Sequence, residues 1–479
     1  MDLVIILFAL GFLMFAAYRG YSVILFAPIA ALLAVFLVDP GNVLPFYSGV
    51  FMENVVVFIK KYFPVFLLGA VFGKIIEMSG IAESIAKTIV RLLGAKQAML
   101  TIVILGAILT YSGVSLFVVV FAIYPFAVQL FKQADIPKRL MPATIALGAF
   151  TFTMDALPGT PQIQNVIPTS FFGTDIYAAP ILGIIGALFV LFVGLAYLEM
   201  RKRQAKKAGE GYYGFEEDKS AAVEEEKSQN NEEIGSDLSS NQSVFRQILA
   251  FVPLVLVAFM NNYLTKAIPK WYPNGFDFSS IGLAQYSVDV AANTAIWAVE
   301  IALVVGILTA LAYDWKRVSK NMKEGLNNSI GGSLLAVMNT GSEYGFGGII
   351  AALPGFTKIS DGISGLFSNP LVNGAFTTST LAGITGSASG GMGIALSAMA
   401  DQYNKAIALA NISPEVMHRV IAMASGGMDT LPHNGAVITL LAVTGLTHRQ
   451  SYGDIFMITI IKSLAVLVVI GLYTWFGIV

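Results

Sequence analysis

This chain of 479 residues has no cysteine, only three histidines, and charge on just 12% of its residues. The missing cysteine excludes disulfides, Fe–S clusters and thiolate metal sites. No HExxH stretch, P-loop or nucleotide fingerprint occurs, which argues against an ATP-driven pump, and no cofactor is expected. Neither a basic cluster of nucleic-acid type nor a long acidic run is present, and the net charge is −1, so no nucleic-acid partner is expected. Met1-Asp2-Leu3 lacks the basic start of a cleavable signal peptide, so the first helix is expected to be retained.

What the chain does have is apolar length. Hydrophobic residues make up 56% of it, and the mean hydropathy is +0.72. Soluble domains carry about twice the charged fraction found here. Apolar runs recur at Leu3–Ala17, Val23–Val38, Ile181–Leu198, Ile248–Met260, Ala295–Ala312 and Ile455–Val479. Several reach or approach the roughly 20 residues that a helix needs to cross the hydrocarbon core. The chain reads as an all-α polytopic protein, spanning the cell's inner (plasma) membrane many times.

One polar segment divides it. Arg201–Ser243 holds RKRQAKK, then a Glu-, Ser- and Asn-rich stretch, and reads as a solvated linker between residues 1–200 and 244–479. The cations directly after a helix place it in the cytoplasm. The two flanking halves resemble each other: Met154–Pro158 recurs as Met428–Pro432, and Gly73–Ile76 falls on Gly347–Ile350 at the same offset of 274. In the first half Val23–Val38 ends without a cation, whereas its counterpart ends at the basic stretch Asp314–Lys323. Basic ends face the cytoplasm, so corresponding helices are expected to run in opposite directions, as inverted repeats of about five crossings each. Both termini then lie outside.

Two hairpins and two interrupted helices complete the expected layout. Residues 95–132 are apolar, with cations at both ends and a break at Tyr111-Ser112-Gly113, and read as a re-entrant hairpin. Residues 369–410, broken at TGSASGG (Thr385–Gly391), are its counterpart. The interrupted helices carry Asp155-Ala-Leu-Pro158 and Asp429-Thr-Leu-Pro432. Broken backbone is tolerated at membrane depth only where it is buried in protein or lines a cavity, and secondary transporters place their substrate at such breaks. Candidate substrate contacts are therefore Ser112, Gly113, Thr160, Gln162, Gln164, Asn165, Thr385, Ser387, Ser389, Gly390 and Asn434. Small residues at these places also serve plain helix packing.

Asp155 and Asp429 admit two roles. A carboxylate inside a membrane segment marks ion coupling by default, yet an Asp before a half-helix also works as an N-cap. His433 is a further titratable candidate for a proton relay. Glu343 lies near the end of a predicted helix and is expected to face water. Two intramembrane aspartates would also suit an aspartyl protease dyad, a reading that leaves the paired breaks and repeats without a purpose.

The phrase DALPGTPQIQNVIP (Asp155–Pro168), in a chain of this length and layout, resembles the GntP family of gluconate-type permeases, over essentially the whole chain apart from the linker. The resemblance implies import of a small organic acid anion, such as 3-hydroxybutyrate or gluconate, by proton symport. It also implies a scaffold that forms a homodimer and a transport domain that moves as an elevator. Hairpin serines and threonines bind Na⁺ in sodium-coupled relatives, so Na⁺ symport stays open. The charged linker departs from the family pattern.

Overall fold

The computed structural model describes residues 2–19, 21–94, 97–114, 116–215, 244–356, 367–432 and 434–479. His433 and most of the polar segment, residues 216–243, lie outside the described residues. Among those described, the chain is helical, with no strand beyond one isolated bridge between Gly211 and Gly214.

The first half runs α1 (Asp2–Tyr18), α2 (Val23–Val38), α3 (Met52–Met78), α4 (Ile81–Leu93), α5 (Ala98–Tyr111), α6 (Leu116–Gln133) and α7 (Met141–Ala149). Three single turns, Phe152–Asp155, Ile163–Val166 and Thr169–Phe172, lead into α8 (Pro180–Lys207). The second half runs α9 (Val252–Trp271), α10 (Val290–Tyr313), α11 (Trp315–Ala352), α12 (Pro370–Thr385), α13 (Ala388–Leu409), α14 (Pro414–Gly426), a turn at Gly427–Thr430, α15 (Gly435–Thr444) and α16 (His448–Phe476). The succession from α5 to the turn at Phe152–Asp155 thus recurs from α12 to the turn at Gly427–Thr430.

Among the described residues, five helices are long and apolar enough to cross a membrane: Pro40–Met78, Pro180–Lys207, Phe245–Trp271, Val290–Tyr313 and His448–Phe476. Helices α1 and α2 are apolar all round, as helices facing lipid are, and leave Phe8, Phe15 and Phe36 exposed. By contrast α4 is amphipathic: it buries Ile81, Ile85 and Ile89 on one face and carries Glu83, Lys87 and Arg91 on the other.

Local chemistry sets the ends. Asn369 caps α12 by accepting from the Leu371 amide at 2.9 Å, with Pro370 at the first helical position. Thr447 and Gln450 form a reciprocal capping box at the start of α16. The basic stretch that follows α10 is helical from Trp315, with a kink at Asn321. Asp314 Oδ1 accepts from the Arg317 amide at 3.1 Å and starts α11 directly after α10. Helix α11 spans 38 residues.

Helices α3 and α11 pack along each other, with α10 against α3 and α2 against α11, while α1 pairs with α2 and α9 with α10. The second body holds α5–α8 and α12–α16, and α13 joins it to α11. The polar segment starts later than Arg201. Helix α8 continues to Lys207, and Gly209–Phe215 fold back onto the protein. Arg139 donates to both Glu210 oxygens, at 2.6 and 2.8 Å, and the Tyr212 amide donates to Asp135 at 2.9 Å. Asp454 accepts from Arg139 and Arg201 at 3.1 and 2.7 Å, which ties α16 to the same cluster. Charges that a solvated linker would leave in water are here paired.

Candidate functional site

The first helix break follows from residues that cannot continue a helix. Pro158 and Pro161 lack an amide hydrogen, and Gly159 sits at φ +85°, where a side chain would be strained. A Cβ there would also fall 2.6 Å from the Tyr177 ring. The free backbone groups then find side-chain partners. Tyr111 Oη donates to Pro158 O at 2.8 Å, and Gln162 Nε2 donates to Thr110 O and Val114 O at 2.7 and 3.2 Å. The first break is thus stitched to the turn between α5 and α6, where Ser112 Oγ donates to Ile108 O and Gly113 takes φ +93°.

The second break closes on the turn between α12 and α13. Asp429 Oδ1 accepts from the Ala388 amide at 3.2 Å and from Asn434 Nδ2 at 3.3 Å, while its Oδ2 accepts from Gln164 Nε2 at 3.0 Å. One carboxylate therefore holds both broken segments and one hairpin tip. Asp429 does satisfy a helix N-terminus, but that of α13; the helix that follows it, α15, is capped by Asn434, which accepts from the Ala436 amide at 2.7 Å. At the tip, Ser387 Oγ caps α13 by accepting from the Gly390 amide at 3.1 Å, and Thr385 donates to Ser387 O at 3.1 Å. Ser389 Oγ lies 3.4 Å from Ser387 Oγ and 3.3 Å from Thr340 Oγ1 of α11.

Asp155 is not a cap. It is fully buried, its Oδ2 is bonded to Lys462 Nζ of α16, and its Oδ1 has no partner among the described residues. Lys462 is equally buried. The pair rests against Gly426, where a Cβ would fall 1.8 Å from Asp155 Oδ2. No hydrogen bond joins Asp155 and Asp429, so the two do not meet as a carboxylate dyad in this structure.

Asn165 is fully enclosed by protein. Its Nδ2 donates to Thr160 O and Ile176 O, at 2.9 and 2.8 Å, and its Oδ1 accepts from Arg419 at 2.9 Å. Among the expected substrate contacts, only Thr160 Oγ1 and Gln164 Oε1 are buried polar atoms without a partner. A small cavity with room for about one water opens between Tyr111, Ser112 and Gly159 on one side and Asn261, Val257 and Val299 on the other. Both amide atoms of Asn261 lack a partner among the described residues.

The GntP family permease model matches residues 57–474. The chain belongs to the GntP permease family. It is 67% identical to YxjC, an uncharacterized transporter of Bacillus subtilis (strain 168), and the match covers 100% of both chains. The crystal structure of the Alcanivorax borkumensis YdaH transporter, described as having an unusual topology, is similar over 89% of this chain and 88% of that one, with a TM-score of 0.47 and 14% identity.

Three functional candidates of this GntP permease escaped the sequence reading. Lys462 sits inside the apolar run Ile455–Val479, and an ionisable residue in such a run was signal enough. Arg419, fully buried, donates to Ala178 O at 2.8 and 3.1 Å and also to the Asp155 carbonyl and Asn165, so one guanidinium fork closes the first break. Glu343 corrects an expectation. It is 2% exposed rather than facing water, because α11 runs on past it under the tip of α13. Its Oε2 has no hydrogen-bond partner among the described residues.

Proposed function

We propose that this permease imports a small organic acid anion, a hydroxy monocarboxylate such as 3-hydroxybutyrate or gluconate, by proton symport. The observation that carries this reading is the pair of unpartnered buried atoms on one helix break, Thr160 Oγ1 and Gln164 Oε1. Buried polar atoms are nearly always hydrogen-bonded, and broken helices in transporters present such groups to substrate. A hydroxy acid answers both: its carboxylate accepts from the Thr160 hydroxyl, and its hydroxyl donates to Gln164. Ser112 and Gly113 from one tip, and Thr385, Ser387, Ser389 and Gly390 from the other, close around it. Gln162, Asn165 and Asn434 hold the backbone that surrounds the site.

In this reading the halves 1–200 and 244–479 are inverted repeats. The basic ends at Arg201–Lys207 and Trp315–Lys323 face the cytoplasm and both termini face outside. Helices α1, α2, α9 and α10 form a dimerising scaffold, against which the broken helices and hairpins move as an elevator. Asp155 and Asp429 order the two breaks, and Asp155, already balanced by the Lys462 ammonium, is not the place where a carried proton is needed. A second reading, Na⁺ symport, is favoured by the oxygen cluster of Thr340, Ser387 and Ser389, since hard cations take oxygen ligands.

The direct test is binding. Purified protein is heated with a panel of small hydroxy acids, and a ligand for the folded state raises its melting temperature. Stabilisation by 3-hydroxybutyrate or gluconate, lost in Thr160→Val and Gln164→Leu, supports the reading. No stabilisation by any hydroxy monocarboxylate contradicts it.

A further inference from the structure

We propose that Glu343 binds the transported proton, at the tip of the α12–α13 hairpin. This rests on the reading of the chain as a proton-coupled permease, and goes beyond it by naming the group that couples. Glu343 is 2% exposed, and its Oε2 has no partner among the described residues. The carboxylate lies directly on the first turn of α13: a Cβ added to Gly390 would fall 1.7 Å from Oε2 and 2.5 Å from Oε1. Glycine at 390 is what lets an acid approach that backbone. Thr340, three positions earlier and on the same face of α11, reaches Ser389 at 3.3 Å. The contact between α11 and the tip therefore includes one carboxylate and hydroxyls.

No counter-charge is at hand among the described residues. Glu343 makes no ion pair among the described residues, and the α3 side chains nearest this stretch of α11 include Val55, Phe58 and Ile59 around Gly341 and Asn54 against Gly348, none of them charged. From α13 come Gly390 and Ser389, and α2 carries no titratable residue. The titratable neighbours are Tyr344 on α11 itself, with Tyr62 of α3 beyond it, next to Phe58. Asp429 bonds the Ala388 amide at the same tip, and His433 lies outside the described residues. A bare ionised carboxylate in such a place costs several kcal/mol. A bound proton removes that charge.

The other half lacks the acid. Position 69, which stands to the first hairpin as Glu343 stands to the second at the offset of 274, is a glycine, and its added Cβ would meet Gly113 O at 4.0 Å. The first tip thus faces a glycine where the second faces a carboxylate. A charged Glu343 repels an anion gathered by Ser387 and Ser389, whereas a neutral one does not, so anion and proton bind together. Opening of that tip to water lets both leave.

The test uses full-length protein in proteoliposomes, with radiolabelled 3-hydroxybutyrate and gluconate as probes, comparing wild type with Glu343→Gln and Glu343→Asp. Wild type is expected to accumulate a probe several-fold under an inward proton gradient. Glu343→Gln should lose that accumulation while keeping counterflow within about twofold, because a locked neutral site still exchanges substrate. Glu343→Asp should keep a slower, pH-driven accumulation. Substrate affinity should tighten on acidification by up to about tenfold per pH unit in wild type and stay flat in Glu343→Gln. Accumulation by Glu343→Gln at the wild-type level overturns the proposal, as does wild-type accumulation driven by Na⁺ and not by pH. Infrared difference spectra on a pH step test the same carboxyl without transport. A protonated-carboxyl band that is unchanged in Glu343→Gln overturns the proposal even if neither probe is carried. If the band is lost in Glu343→Gln and shifted in Glu343→Asp, the proposal stands while the choice of substrate fails.

Discussion

Lys462 and Asp155 stand 307 positions apart in the chain and form an ion pair with side chains only 1% and 0% exposed. The pair joins α16 of the second half to the turn that opens the first break, so it closes the molecule across its two halves. Removing one member of such a pair leaves the other charge buried, which costs about 3–5 kcal/mol, whereas replacing both by apolar groups is often close to neutral. Lys462→Met and Asp155→Asn should each lower the melting temperature and the yield of folded protein. The double variant Asp155→Leu/Lys462→Met should recover most of the loss. If, as proposed, this pair positions the break rather than carries the proton, counterflow and accumulation should fall together in Asp155→Asn. Loss of accumulation alone would move the coupling role back to Asp155.

Gly426 supports the pair from beneath. A Cβ at this position would fall 1.8 Å from Asp155 Oδ2 and 2.5 Å from Lys462 Nζ. Overpacking a full site costs about 1–3 kcal/mol, and here the atoms that must move are the two charges. Gly426→Ala should therefore destabilise, though by less than Lys462→Met, measured by thermal unfolding in detergent. Little change would mean that the pair has room to shift.

Arg419 closes the first break with a planar fork that a lysine cannot reproduce. Arg419→Lys should leave carbonyl oxygens of Ala178 and Asp155 unsatisfied, at about 1–3 kcal/mol for each buried group left without its partner. Its effect on substrate binding should be indirect, through the backbone around Thr160. Proteolysis of the 156–178 segment should accelerate while α1, α2, α9 and α10 stay protected.

Much of this was legible beforehand, and for local reasons. Apolar length announces membrane helices, and Pro158, Pro161, Gly113 and Gly386 announce where helices break, because each acts on its own backbone. What remained hidden is long-range. That Asp155 meets Lys462, that Gln164 meets Asp429, and that α11 carries Glu343 under Gly390 depend on how helices pack, and nothing near each residue records its partner. Asp314 shows a subtler limit: a run of basic residues after an apolar helix looks like a loop, but an N-capping Asp at its start makes it helix. Lone charges in apolar runs, Lys462 above all, were readable from the desolvation cost alone.

Topology can be probed directly because the chain has no native cysteine. Ser280, in the exposed segment between α9 and α10, and Lys207, at the end of α8, should lie on opposite sides of the membrane. An impermeant thiol reagent should label Ser280→Cys in intact cells, and Lys207→Cys only after permeabilisation. The reverse pattern would overturn the orientation drawn from the basic helix ends.

The central claim is that a small hydroxy acid anion enters together with a proton. Wild-type protein in proteoliposomes is given radiolabelled 3-hydroxybutyrate or gluconate under an inward proton gradient, an inward Na⁺ gradient, or neither. Accumulation above the equilibrium level under the proton gradient alone, abolished by a protonophore, is the predicted result. Accumulation that follows Na⁺ and ignores the protonophore, or none for either anion under any gradient, would contradict it.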